Sequence, residues 1–195
     1  MKKERNIDLN KIKPKEIRIT TGTAKNKRLK APDIEDFRAV QEVAKLSLFS
    51  ILGDKIEGSV CLDLYSGSGN LGIEALSRGA EWCDFVDSNY YSQQAIEDNL
   101  VNCGFLEKSE VSRKEAVKFV LNAPRNYDVV FIDPFYKETS HKHLLSNLED
   151  IINKDAIVAF FHGDNLNLKD LIQDTNLKIV DERKFGKSYF TLLTL

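Results

Sequence analysis

Val60-Cys61-Leu62-Asp63-Leu64-Tyr65-Ser66-Gly67-Ser68-Gly69-Asn70-Leu71-Gly72 runs from an apolar stretch through a carboxylate into a glycine-rich turn. It resumes with Leu71, Ile73, Ala75 and Leu76 and stops at Gly79. A strand, a tight loop and a helix N-terminus are predicted in one short segment. Gly67 and Gly69 let backbone approach a ligand closely, because no Cβ stands in the way. The turn is a candidate nucleotide cradle, or else a plain strand-to-helix connection.

Gly67, Gly69 and Gly72 match G-x-G-x-x-G, a spacing that also suits a dinucleotide with its pyrophosphate on the helix N-terminus. Asp63, four residues before the first glycine, argues otherwise. A carboxylate there repels a pyrophosphate and welcomes a cation. S-adenosylmethionine carries an ammonium group and a sulfonium centre and no phosphate. Asp63-Leu64-Tyr65-Ser66-Gly67-Ser68-Gly69 resembles the first motif of class I methyltransferases.

Along the rest of the chain, strands alternate with helices. Glu35 to Leu52 has helical apolar spacing at Phe37, Val40, Ala44, Leu48 and Ile51, with Gly53 as a left-handed stop. Strands are predicted at Trp82–Val86, Glu110–Ser112, Tyr127–Asp133 and Ala156–Phe161, with terminal strands at 178–183 and 189–195. Helices are predicted at Gln94–Cys103, Glu115–Leu121, His141–Ile152 and Leu166–Thr175. This pattern predicts an α/β fold with a doubly wound, mainly parallel sheet. Ligands of such sheets bind at the carboxyl ends of the strands. Asp63, Asp87, Glu115 and Asp133 fall at or just beyond those ends. Asp87 stands 18 residues after Gly69, in the range where a carboxylate reaches ribose hydroxyls. Glu115 either touches the adenine region or caps its helix.

Asp133-Pro134-Phe135-Tyr136 follows the most apolar strand. It resembles the D/N-P-P-Y/F motif of methyltransferases that modify amines conjugated to a planar ring. Such an amine is a poor nucleophile, because its lone pair is delocalised. The Asp133 carboxylate and the Pro134 carbonyl can accept its hydrogens, hold the lone pair in line and stabilise developing positive charge. Tyr136 offers a face on which a flipped-out base can stack.

The net charge of −2 over 195 residues hides an asymmetry. Residues 1–30 hold 11 Lys/Arg against 3 Asp/Glu, a net of +8, which leaves −10 for the remainder. Residues 1–16 read as a disordered basic arm or a solvated tail. Residues 17–34 read as a basic β-hairpin offering Arg18, Lys25, Lys27, Arg28 and Lys30 to a polyanion, and 35–195 as the main domain. No stretch approaches the roughly 18 apolar residues of a membrane span, and no secretory signal is read at the N-terminus. Cys61, Cys83 and Cys103 are widely spaced in apolar runs, which favours buried thiols over metal ligands or disulfides. His141 and His143 point apart on a helix and are expected at the surface. His162 is expected to be structural.

Together these features resemble the bacterial small-subunit ribosomal RNA guanine-N2-methyltransferases of the RsmD type. The resemblance is carried by Ile17-Arg18-Ile19 with Gly22, Lys27 to Pro32, Leu48 to Leu52, Asp63 to Ala80, Asn99-Leu100, Asp133 to Tyr136 and Gly186-Lys187-Ser188. It implies a class I, Rossmann-like fold with a C-terminal antiparallel strand and S-adenosylmethionine as cofactor. It implies methylation of one guanine N2 amine in small-subunit rRNA or an assembly intermediate. Cofactor roles then fall on Asp63, Tyr65, Gly67, Gly69, Asp87 and Glu115, catalytic roles on Asp133, Pro134 and Tyr136, and RNA contacts on Arg18, Lys27, Arg28, Lys30 and Arg38. A cytoplasmic monomer without metal is expected. The chain departs from the family at Arg38-Ala39-Val40, where Arg-Pro-Thr is usual, at Val43, where a second Arg is usual, and at Phe135, where a second proline is usual. Asp87 and Glu115 stand where Glu and Asp are usual. Two other readings remain: methylation of another nucleic-acid amine, and a non-catalytic rRNA-binding assembly factor.

Overall fold

The computed structural model describes residues 16–35, 37–134 and 141–195. Its centre is a seven-stranded sheet built from β3 (Val60–Leu64), β4 (Trp82–Asp87), β5 (Ser109–Arg113), β6 (Tyr127–Ile132), β7 (Ile152–Gly163), β8 (Lys178–Phe185) and β9 (Ser188–Thr194). The strand order is β5-β4-β3-β6-β7-β9-β8, with β3 to β7 parallel and β9 inserted antiparallel between β7 and β8. The C-terminal antiparallel element is thus a two-strand hairpin, turned at Gly186 (φ 65°).

Both faces of the sheet are covered, and the alternation of side chains along each strand sorts the core into two halves. Cys61, Cys83, Phe85, Val129 and Phe131 pack with α1 (Glu42–Leu52), α2 (Asn70–Ser77) and α3 (Tyr90–Cys103). Leu62, Leu64, Val86, Val130 and Ile132 pack with α4 (Ala116–Val120), α5 (His141–Leu148) and α6 (Leu168–Ile172). Among the described residues, no helix is long and apolar enough to cross a membrane. Cys61 and Cys83 are buried free thiols, and Cys103 is half-buried.

The first helix is shorter than its periodicity predicts. It starts at Glu42, and its cap residue Gln41 is extended (φ −61°, ψ 137°). Val40 packs on the core from the extended segment, and an ideal Cβ on Gly67 would lie 2.8 Å from the Phe37 ring. Tertiary packing claims both residues, so their helical spacing has no helix behind it. Gly53 has a positive φ (51°) but ψ of −130°, and a 3₁₀ turn over Gly53–Ile56 follows in place of a left-handed stop. The third helix begins four residues earlier than predicted, because Asn89 accepts a hydrogen bond from Tyr91 N at 2.8 Å and caps it.

At the N-terminal side, β1 (Ile17–Arg18) pairs antiparallel with β2 (Arg28–Leu29). This hairpin is fastened to α2 by polar groups. Thr20 N and Oγ1 donate to the Glu74 carboxylate at 2.8 and 2.7 Å, and Thr21 N donates to it at 3.1 Å. Ser77 Oγ donates to Thr21 O and accepts from Ala24 N. Gly22 (φ 84°) sits so close to the helix end that a Cβ there would lie 1.7 Å from Ser77 O. Burial pushes the Glu74 carboxyl up, but Lys45 and the Thr20 hydrogen bonds outweigh burial and hold it below the usual range.

Candidate active site

The parallel order reverses at β3, which lies between β4 and β6, and the carboxyl ends of these strands form the cleft expected at such a switch point. The glycine loop leaves β3 here. Tyr65 takes a left-handed conformation (φ 60°), as do Gly67 (φ 55°) and Gly69 (φ 74°). Ser66 Oγ donates to Asp63 O at 2.5 Å and accepts from Val86 N at 2.9 Å, so one hydroxyl pins the loop to two strands. Asn99 Nδ2 donates to Ser68 O at 2.9 Å, which ties the loop to α3.

Two carboxylates hold the loop from opposite sides. Asp63, 1 % exposed, accepts a hydrogen bond from Gly72 N at 2.9 Å through Oδ2. Asp87 accepts from Gly67 N at 2.9 Å through Oδ2 and from Asn89 N at 2.9 Å through Oδ1. Burial raises the Asp63 carboxyl well above the usual carboxylate range; the Gly72 N–H lowers it in part, while the charges of Asp133 and Asp87 add to the rise. Asp133 follows β6, its N–H directed at Leu64 O (3.4 Å). Burial pushes its carboxyl up to about 7. Asp63 therefore feels the charges of two carboxylates that stand at the ends of the strands on either side of it. The described residues contain no cluster of His, Cys, Asp and Glu that could hold a metal ion.

Beside this loop lies a cavity of about 370 Å³, with Tyr65, Asp87, Ser88, Lys114, Glu115 and His143 on its walls and Val86, Ala116 and Val117 as its apolar lining. Of the residues singled out from sequence, Tyr65, Asp87 and Glu115 meet in this cavity, and Asp63, Gly67, Gly69 and Asp133 surround its loop. Glu115 is the cap residue of α4, but its side chain makes no cap hydrogen bond and pairs with Lys118 at 3.0 Å. Pro134 follows Asp133, half-buried. Tyr136 lies outside the described residues.

Three of the basic residues have carboxylate partners outside the cleft. Arg18 forms a two-pronged pair with Glu42 at 2.8 and 2.9 Å, Arg28 pairs with Glu16, and Lys30 pairs with Asp98 at 2.8 Å. Lys25, Lys27 and Arg38 are exposed, with no carboxylate partner among the described residues. Sequence reasoning passed over Lys114, although it adjoins Glu115; His143, expected at the surface, is exposed and also lines the cavity. His141 is a correction: it is 8 % exposed and stands edge-on to Phe160 at 5.4 Å, because α5 turns that face to the sheet. His162 is held by Thr191 Oγ1 at 2.9 Å and stacks on Tyr189.

The sheet order, the covered faces, the glycine loop after β3 and the acidic strand ends define a class I methyltransferase fold. "Putative methyltransferase yhhF from Escherichia coli" has the same fold, with a TM-score of 0.79 at 24% identity over 92% of this chain and 98% of that one. The family model described as "Conserved hypothetical protein 95", the RsmD family, matches residues 17–194, and the chain belongs to that family. "Putative rRNA methyltransferase YlbH" of Bacillus subtilis (strain 168) is 32% identical over 163 residues, 81% of this chain and 89% of the relative. "Ribosomal RNA small subunit methyltransferase D" of Buchnera aphidicola subsp. Baizongia pistaciae is 28% identical over 185 residues, 93% of each chain.

Proposed function

We propose that this protein transfers a methyl group from S-adenosylmethionine to the exocyclic N2 amine of a guanine in small-subunit ribosomal RNA. The observation that carries the reading is the position of Asp133, at the end of β6 beside the glycine loop of β3 and close enough to Asp63 for its charge to be felt there. The relatives' names support rRNA as the substrate class.

The cleft fits the cofactor's chemistry on its own terms. Left-handed backbone at Gly67 and Gly69 shapes the loop, with Phe37, Ile73 and Phe85 filling the space side chains there would take. The cavity has an apolar lining with Asp87 and Glu115 on its walls, and a cationic ligand would favour the ionised form of the strand-end carboxyls. Asp63 and the glycine loop would hold the methionine end, Asp87 the ribose hydroxyls, and Tyr65, Glu115 and Val117 the adenine region. Bound there, the cofactor supplies an electrophilic methyl on a sulfonium centre. Asp133, when ionised, accepts a hydrogen bond from the guanine amine, and the Pro134 carbonyl accepts a second. Together they would orient the lone pair and stabilise the positive charge that grows on nitrogen, which then sheds one proton to water to leave the neutral methylamine. Tyr136 stacks the extruded base, as its motif implies. Lys25, Lys27 and Arg38, with Arg18, Arg28 and Lys30 once their surface pairs are exchanged for phosphates, provide the sequence-independent affinity. Exposed ion pairs are weak enough for that exchange.

The test is methyl transfer from labelled S-adenosylmethionine to small-subunit rRNA and its assembly intermediates, followed by mapping of the modified nucleotide. A single N2-methylguanine that disappears in Asp133→Ala, with cofactor affinity within a few fold of the wild type, is the expected result. A methyl group on another base or amine would refute the guanine assignment.

A further inference from the structure

Tyr90 and Tyr91 open α3 with both rings in solvent, 52% and 53% exposed. Their centroids are 5.7 Å apart at 72°, and the Arg113 guanidinium lies 6.0 Å over the Tyr90 ring. Single exposed aromatics are ordinary. Two neighbouring rings with a cation on one of them, fixed by a helix cap, are a built surface. The Asn89 cap holds the first turn of the 14-residue helix and so fixes where both rings start.

The patch is continuous with the cleft. Arg113 is the sheet partner of Asp87, and Lys114 N donates to Asp87 O at 3.1 Å. Lys114 and Ser88 line the cavity, while neither tyrosine does. The rings therefore stand beside the cofactor region without covering it. The patch also carries two cations, Arg113 over the Tyr90 ring and Lys114, whose ammonium stands 6.0 Å over the Phe119 ring. Arg113 and Lys114 have no carboxylate partner among the described residues. Nearby carboxylates are engaged: Asp87 with the N–H groups of Gly67 and Asn89, Glu115 with Lys118, and Glu97 with the amides of Gln93 and Gln94.

We propose that Tyr90, Tyr91, Arg113 and Lys114 form a docking surface for unpaired RNA flanking the modified base, with bases stacked on the tyrosines and phosphates held by the two cations. This rests on the reading of the protein as an RNA methyltransferase. Aromatic rings serve any base, and adjacent cations follow the backbone, which is the chemistry of single-strand binding. Two exposed rings beside cations match the alternating bases and phosphates of a single strand, so RNA is the occupant the patch favours.

The test uses the full chain and a short fluorescein-labelled single-stranded oligoribonucleotide, read by anisotropy, with cofactor binding measured by calorimetry in the same variants. Tyr90→Ala and Tyr91→Ala should each weaken RNA binding by about 5- to 150-fold, the loss of one stacked base. Tyr90→Phe and Tyr91→Phe should retain it, and cofactor affinity should be unchanged in all four. Arg113→Ala should reduce the slope of log affinity against log salt by about 0.7. Wild-type RNA affinity in the alanine variants, or a wild type that ignores the oligoribonucleotide, would overturn the surface. So would alanine variants that bind RNA normally yet lose binding to small-subunit particles, which would make it a protein-binding patch. Failure of the parent reading is separate: the wild type would then methylate neither rRNA nor particles.

Discussion

Lys45 Nζ lies 3.0 Å from Glu74 Oε2, with both side chains buried. The same ammonium donates to Asn70 Oδ1 at 2.6 Å and to Arg18 O at 2.7 Å. One buried cation thus joins the hairpin, α1 and the first residue of α2, directly after the glycine loop. Removing one partner of a buried pair leaves an uncompensated charge, at about 3–5 kcal/mol. Lys45→Met and Glu74→Gln should each lower the unfolding free energy read from urea titration by that order, and the Lys45→Met/Glu74→Leu double variant should lose less than the sum of the singles. Additive losses would remove the coupling. The sign in acid follows from Glu74: its carboxyl is held below the unfolded value, so its contribution is present above about pH 4 and is lost as pH falls through the folded value.

Gly22 gives a second route to the same contact. Its φ of 84° and the 1.7 Å approach of an added Cβ to Ser77 O leave no room for any side chain, and the obstacle is backbone. Gly22→Ala should therefore undock the hairpin from α2. We expect amide protection of residues 19–24 to fall while the strands of the central sheet keep theirs, with a stability loss of at least about 2 kcal/mol. Unchanged protection over 19–24 would show that the turn adapts.

These contacts mark where the sequence stops being legible. The run Tyr127 to Ile132 reads as a strand because both of its faces are covered by apolar side chains. The loop after Leu64 reads as a ligand cradle because only glycine takes its backbone angles at no steric cost. Nothing local to Glu74 marks it as buried; the docked hairpin and Lys45 explain its burial. Phe37 and Val40 carry helical spacing but serve packing from an extended segment. His141 and His143 stand two residues apart, and the difference between core and cavity wall is set by how α5 seats on the sheet. Periodicity reports which faces are apolar, whereas long-range polar partners leave no local trace.

The Gly67 N–H to Asp87 Oδ2 bond, 2.9 Å long, makes the loop depend on a carboxylate 20 residues away. Asp87→Ala removes that acceptor and the one for Asn89 N–H together. Cofactor affinity measured by calorimetry should drop at least tenfold, a loss of about 1.4 kcal/mol, the size of one charge-assisted hydrogen bond. Asp87→Glu should recover part of it. Affinity unchanged in Asp87→Ala would mean that Ser66, Asp63 and Asn99 hold the loop's shape without it.

Asp133 sets activity against stability. Its carboxyl is pushed up to about 7 by burial, while an unfolded aspartate titrates near 3.9. Between these values the folded protein binds more protons than the unfolded chain, so stability falls as pH rises through the window, and the full cost is present above pH 7. Asp133→Asn removes the charge and keeps the shape. At pH 8 the variant should be more stable than the wild type, on the order of 2 kcal/mol after discounting for partial solvent contact, which raises Tm by several degrees. At pH 5 the advantage should shrink to about a third of that, and it should vanish below about pH 4. Methyl transfer should move the other way: the wild-type rate should climb as pH passes about 7 and the acceptor carboxylate forms, and Asp133→Asn should lose at least about 100-fold at every pH. Equal Tm differences at pH 5 and pH 8 would show that Asp133 is ionised throughout, and a variant with the wild-type pH profile of methyl transfer would take the residue out of the reaction.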